Sequence, residues 1–241
     1  MNYLLNKKII IKGIIKAETG LAIGGSNSAM SIGGVDKGVI RNVATGEPYI
    51  PGSTIKGKMR SLLEMRLGEV GDKAMGVVKN GPCERDGTRP VNLFGNASGS
   101  EGQRPSRIIV RDAVLDADQK KTDFFKNTDL LFTEVKTEVV IDRITSKAMP
   151  RQMERVPAGA LFRFEIVLNI FEQDGNEEQL KKDLFTALQL VQDDYIGGSG
   201  SRGSGQVSFH IDSVFERDCE FYTEKKLESN KTSEYKTLFP I

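Results

Sequence analysis

From Lys8 to Ala17 apolar and polar residues alternate, with Ile9, Ile11 and Ile15 on one face and Ile10, Lys12, Ile14 and Lys16 on the other. A period of two is that of a β-strand. It returns from Leu161 to Ile170, where Phe162, Phe164, Ile166, Leu168 and Ile170 oppose Arg163, Glu165 and Asn169. Further strands are predicted at Arg107 to Leu115, at Leu131 to Ile141, and at Val207 to Ile211. Helical spacing marks two other stretches. Pro51-Gly52-Ser53 introduces Ile55, Met59, Leu62 and Leu63, with Ser53 as the expected cap. Asn176 and Gln179 make a capping-box-like start for Leu180, Leu184, Leu188 and Val191. The order strand, helix, strand, strand, strand, helix, strand is the split βαβ plan of a ferredoxin-like α+β domain. Arg143 to Pro157 is then an insertion between central strands, residues 74–105 an irregular insertion rich in Gly, Asn and Ser, and residues 221–241 a weakly ordered polar tail. Both helices of such a fold cover one sheet face, leaving the other face and the loops at its edges to a ligand.

Composition narrows the class. The chain has 241 residues, 38% of them hydrophobic and 28% charged, enough for one domain with insertions over residues 1–220. No run of eighteen apolar residues occurs, and Met1 to Lys8 does not read as a leader, so a soluble cytoplasmic protein with no membrane partner is expected. Cys83 and Cys219 form no CxxC, which speaks against a zinc site or a disulfide framework. The net charge is only +1, but charge is sorted along the chain. Glu165 to Asp194 holds eight acids and two lysines, whereas Arg143 to Arg155 holds four cations and one acid. Lys56, Lys58 and Arg60 form a second basic cluster. Sorted charge suggests a phosphate-facing side; the plainer alternative is a solvated surface with chance clustering.

The motifs point the same way. Gly198 to Gly203 reads GSGSRG, the letters of a dinucleotide fingerprint, but a helix precedes it and a strand follows, the reverse of the context that motif needs. What remains is a glycine-dense turn in which Gly198, Gly200 and Ser201 let a phosphate backbone approach Arg202, or else a flexible connector. Ser53, Lys56, Lys58 and Arg60 crowd hydroxyls and cations into the first turns of a helix, where cations oppose the macrodipole unless an anion sits there. Histidine catalysis is unsupported, since His210 stands alone in a strand. A carboxylate-plus-metal mechanism stays open, with Asp36 as candidate, although an isolated loop aspartate is usually a turn residue.

Several segments, in order along most of the chain, resemble the RAMP backbone subunits of type III-A CRISPR Csm effector complexes. They are Thr19 to Gly25, Gly34-Val35-Asp36, Ile50 to Arg60, Leu93-Phe94-Gly95, Thr133 to Lys136, Ile141 to Thr145, Pro150 to Arg155 and Asp194 to Gly203. The resemblance implies an RRM-like palm with a lid-like insertion at about 74–105 and a thumb hairpin at 143–157 set between guide and target RNA. It implies copies stacked along a CRISPR guide RNA beside other subunits of the Csm complex. Met149 and Met153 would wedge beside a displaced nucleotide while Arg143, Arg151 and Arg155 hold phosphates. Asp36 takes the place of the catalytic aspartate, with Mg²⁺ or another divalent cation, in an attack by the RNA 2′-hydroxyl on the adjacent phosphate. Relatives commonly carry Leu-His-Ile-Gly-Gly in the first glycine loop, whereas this chain has Ala22, so imidazole help is lost there. Two other readings are a non-catalytic RNA-binding scaffold and a guide-processing ribonuclease; the lack of a second histidine weighs against the last.

Overall fold

The computed structural model describes residues 3–24, 38–71, 80–96, 104–224 and 227–237. Strand β1 (Leu5–Ala17) is followed by the short β2 (Tyr49–Ile50) and helix α1 (Gly52–Leu67). Next come α2 (Arg89–Phe94), β3 (Ile108–Val110) and β4 (Ala113–Leu115). Strands β5 (Glu134–Ile141) and β6 (Ala148–Arg155) form a hairpin, and β7 (Leu161–Phe171) leads to α3 (Glu177–Asp193). The chain then passes through β8 (Val207–Asp218), α4 (Cys219–Glu224), β9 (Ser229–Asn230) and α5 (Thr232–Lys236).

The main sheet runs β2-β4-β7-β1-β8-β9, with β3 also on β7, and every pairing in it is antiparallel. Leaving out the short edge strands, β8-β1-β7-β4 is the order of a split βαβ fold. The expected α+β class and ferredoxin-like palm are what the chain adopts. Ile9, Ile11, Ile15, Phe162, Phe164, Ile166, Leu168 and Ile170 point to the helix side and are buried with Ile55, Met59, Leu63, Leu184, Leu188 and Val191. At about 25 cal/mol per Å² of apolar surface, this shared layer is the main source of stability. Gly13 marks a register shift between β1 and β8, where a Cβ would lie 2.0 Å from the His210 carbonyl oxygen.

Four expectations change. Leu131 to Ile141 is no palm strand: β5 pairs only with β6, in a separate two-stranded sheet, so the hairpin spans residues 134–155 and not 143–157. Alternation predicts a strand without saying which partner it pairs with. Ser53 does not cap α1. Pro51 takes the N-cap with no side-chain hydrogen bond, and Gly52 N–H donates to Asp112 Oδ1 at 2.8 Å. The 74–105 stretch contains the helix α2. Past Phe221 the chain folds back, with Tyr235 only 1% exposed and its hydroxyl donating to Glu216 at 2.9 Å. Burial and the carboxylate Glu216 both push that phenol's pKa up. The Asn176 cap on α3 forms as expected, accepting from Gln179 N–H at 3.0 Å.

Candidate nucleic-acid interface

The β5–β6 hairpin stands away from the palm. Met149, Arg151, Met153 and Arg155 occupy alternate positions on β6 and share one face, opposite Val140, Glu138, Lys136 and Glu134. Arg143, Lys147 and Arg151 are exposed and form no ion pair among the described residues. Met149 is 54% exposed and Ile144, in the turn, 95%. Exposed apolar residues on a projecting hairpin, flanked by free cations, suit a polyanion with apolar base faces.

At its base the hairpin is fixed on both faces. On the arginine-and-methionine face, Met153 is buried and its Sδ accepts from Ser199 Oγ at 3.5 Å. Arg202 reaches Glu138 at 3.3 Å, and Arg155 pairs with Glu134 at 2.5 Å. Arg155 also packs on Gly20, where a Cβ would lie 2.4 Å from its Nε. On the other face, Glu154 Oε1 accepts from Thr133 Oγ1 at 2.6 Å and Arg41 Nη2 at 2.5 Å, and its Oε2 from Val39 N–H at 2.9 Å. Burial by itself would raise the Glu154 pKa, but those three donors outweigh it and hold the carboxyl below its usual range.

The glycine-rich turn is packed, not a slack connector. Gly200 to Arg202 form one 3₁₀ turn. A Cβ on Gly200 would lie 2.1 Å from the Tyr195 ring, and Gly197, at φ +80°, would bring one to 2.4 Å from the Ala22 carbonyl oxygen. That oxygen accepts from Gly198 N–H at 2.7 Å, so the two glycine loops lie against each other. Ser201 and Arg202 are exposed at the rim.

The α1 cations are used inside the molecule. Lys56 Nζ donates to Ser106 Oγ at 2.7 Å, and burial, helped by neighbouring Arg60, lowers its pKa. Lys58 pairs with Asp194 at 2.9 Å and stacks 3.9 Å above the Tyr195 ring. Arg60 bonds Glu64 at 2.8 Å and the Cys83 carbonyl at 2.6 Å. Their crowding, unexplained by helix electrostatics, comes from these contacts; Ser53 stays exposed beside them.

Asp36 lies outside the described residues. The segments on either side of it meet: Gly24 bridges Val39, and Ile40 N–H donates to Ile23 O at 2.8 Å. Among the described residues no three His, Cys, Asp or Glu side chains gather as a metal site. Of the four acids of the hairpin, Glu134, Glu138 and Glu154 are each engaged by cations, and Asp142 accepts from the Ile144 and Thr145 amides of the turn. On the sheet face away from the helices, β1 places Lys8, Ile10, Lys12, Ile14 and Lys16, with Ile10 buried and Phe215 of β8 paired beside it. Lys8 is held by Asn169 at 2.6 Å, Lys12 by Glu165 at 3.4 Å and Lys16 by Glu18 at 2.9 Å. Glu154, Arg41, Thr133 and Glu138 had no role assigned from sequence, although Thr133 and Glu154 fall within the matching segments. Glu154 had one trace, a lone acid between Arg151 and Arg155; Arg41 had none. Cys83 and Cys219 are free thiols, and no helix among the described residues is long and apolar enough to cross a membrane.

Residues 14–208 match the RAMP superfamily. The CRISPR system Cms endoribonuclease Csm3 of Methanocaldococcus jannaschii is 37% identical over 98% of this chain and 92% of its own length. That of Methanothermobacter thermautotrophicus is 40% identical over 90% of the chain and 89% of its length. Among solved structures, Csm3 in a Csm3–Csm4 subcomplex of a type III-A CRISPR-Cas interference complex aligns with a TM-score of 0.59 and 30% identity, covering 94% of this chain and 89% of that one. Methanopyrus kandleri Csm3 aligns with a TM-score of 0.65 and 26% identity, covering 92% and 80%. A sequence match over most of the palm and a shared architecture agree: the chain belongs to the RAMP superfamily and, within it, to the Csm3 family.

Proposed function

We propose that this chain is a guide-RNA-binding backbone subunit of a type III-A CRISPR interference complex and that it cleaves target RNA paired to the guide. Its partners are the guide, the target, further copies of itself and other Csm subunits. The observation that carries this reading is the two-sided base of the hairpin. One face joins Met153 to Ser199 of the glycine-rich turn and Arg155 to Gly20 of the first glycine loop; the other joins Glu154 to the stretch that returns from Asp36. A hairpin held this way can separate two strands, with the guide phosphates near Gly198, Gly200, Ser201 and Arg202 and the target linkage on the side of Asp36. Arg143, Arg151 and Arg155 supply positive charge along the hairpin, and Met149 and Met153 supply apolar surface for an unstacked nucleotide. Lys56, Lys58 and Arg60 sit at the α1 end of the guide path, where a phosphate would share them with Ser106, Asp194 and Glu64.

Cleavage needs the 2′-hydroxyl placed in line with the adjacent phosphorus, so that its oxygen bonds to phosphorus as the 5′-oxygen leaves. Positioning of that kind lowers the barrier without a conventional base. Asp36 is the carboxylate assigned to this linkage, either positioning the 2′-hydroxyl or holding a divalent cation. Such a cation would supply charge stabilisation at the phosphate, and its ligands would be Asp36 and RNA oxygens, since the described acids of the hairpin are engaged elsewhere.

The test is Asp36→Ala in the assembled complex, with guide-matched RNA and Mg²⁺. Cleavage should fall at least a hundredfold while target affinity stays within twofold. Cutting at the wild-type rate refutes the assignment, and a wild-type complex that binds target and leaves it intact favours a scaffold.

A further inference from the structure

Glu154 bonds none of the residues assigned to RNA; its partners are Thr133, Val39 and Arg41. It is only 6% exposed, and a carboxylate that deeply placed is costly unless every lone pair is used. Here the lone pairs are used by groups from separate stretches of chain: Thr133 ahead of β5, the Val39 amide, and the Arg41 guanidinium. Arg41 extends the cluster, donating to Leu131 O at 2.9 Å, Gly46 O at 2.7 Å and Thr133 Oγ1 at 2.7 Å. The neighbouring Val156 and Leu21 exchange two backbone hydrogen bonds of 2.8 Å, so the hairpin is already tied to the palm without Glu154. What Glu154 adds is a direct link from β6 to the stretch 38–41, through the Val39 amide and the Arg41 guanidinium.

We propose that Glu154 is a positioning residue: with Arg41 it fixes the hairpin, which holds the target linkage, relative to the stretch that leads back from the cleaving carboxylate. This rests on the functional reading above. The clamp touches no RNA. Its effect is on the rate and place of cutting, because an error of about 1 Å in a reacting geometry can cost on the order of a hundredfold in rate.

The experiment compares wild-type, Glu154→Gln and Arg41→Lys subunits in the assembled, guide-loaded complex. It measures target affinity, the single-turnover cleavage rate at saturating target, and the cut position at nucleotide resolution. Glu154→Gln keeps the shape but loses the charge that Arg41 pairs with and one acceptor oxygen. Its rate should fall tenfold or more with affinity within twofold, and cuts should spread to neighbouring linkages. Arg41→Lys, which keeps the charge without the planar fork, should give the same pattern more mildly and serves if Glu154→Gln does not assemble. A single cut at the wild-type rate in the assembled variant overturns the proposal, as does a loss of affinity that matches the loss of rate. Asp36→Ala separates the two readings. If it abolishes cutting while Glu154→Gln cuts normally, the clamp alone falls; if it cuts normally, both fall.

Discussion

Gly197 shows how much of this site depends on single residues. It combines φ +80° with a position where a Cβ would meet the Ala22 carbonyl, so both conformation and space exclude a side chain. Gly197→Ala should lower stability by about 1–3 kcal/mol in chemical denaturation, through strain and close packing. Gly203 also has positive φ but open space beside it, so alanine there should cost less. Lys56 and Arg60 make a comparable case. The sequence cannot tell a cation waiting for phosphate from one already bonded to Ser106 or Cys83, because those partners lie far along the chain.

Among the elements, the hairpin and the C-terminal segment depart most from expectation. At the hairpin base, the Glu154 pKa is held below the ordinary glutamate value of about 4.3. A depressed carboxyl contributes stability that is present above its unfolded pKa and is lost as pH falls through its folded value. Hydrogen exchange at the Val39 amide, corrected for intrinsic rate, should therefore stay slow from pH 7 to 5 and quicken only below about pH 4. Exchange that quickens already near pH 6 would contradict the clamp's electrostatics. At the C-terminus, α5 docks through Tyr235, which lies beside Phe185 with ring centroids 5.9 Å apart. Tyr235→Ala should cost about 3–5 kcal/mol, measured as a shift in the denaturation midpoint. A polar composition concealed this, since one buried aromatic in a charged stretch leaves no periodic signal.

At the scale of the whole molecule, the hairpin carries three exposed cations, Arg143, Lys147 and Arg151, that form no ion pair among the described residues. Changing Arg143, Lys147 and Arg151 together to Ala should weaken guide-matched RNA binding regardless of sequence. It should also flatten the dependence of log affinity on log salt by up to about 2, at roughly 0.7 per phosphate contact on a single strand. An unchanged slope would remove these residues from the interface. The palm was legible from sequence because its strands and helices bury one face each, and burying one face writes periods of two and about 3.6 into the chain. The chain by itself therefore determined the α+β plan, the order of the palm's long strands and two main helices, and the Asn176 cap. Tertiary structure alone decided that residues 134–141 leave the sheet for the hairpin, that the α1 cations turn inward, and that Glu154 meets Val39 and Arg41. Each of these is a choice of partner between residues distant in sequence, and periodicity records burial and local geometry but not the identity of the neighbour across the gap.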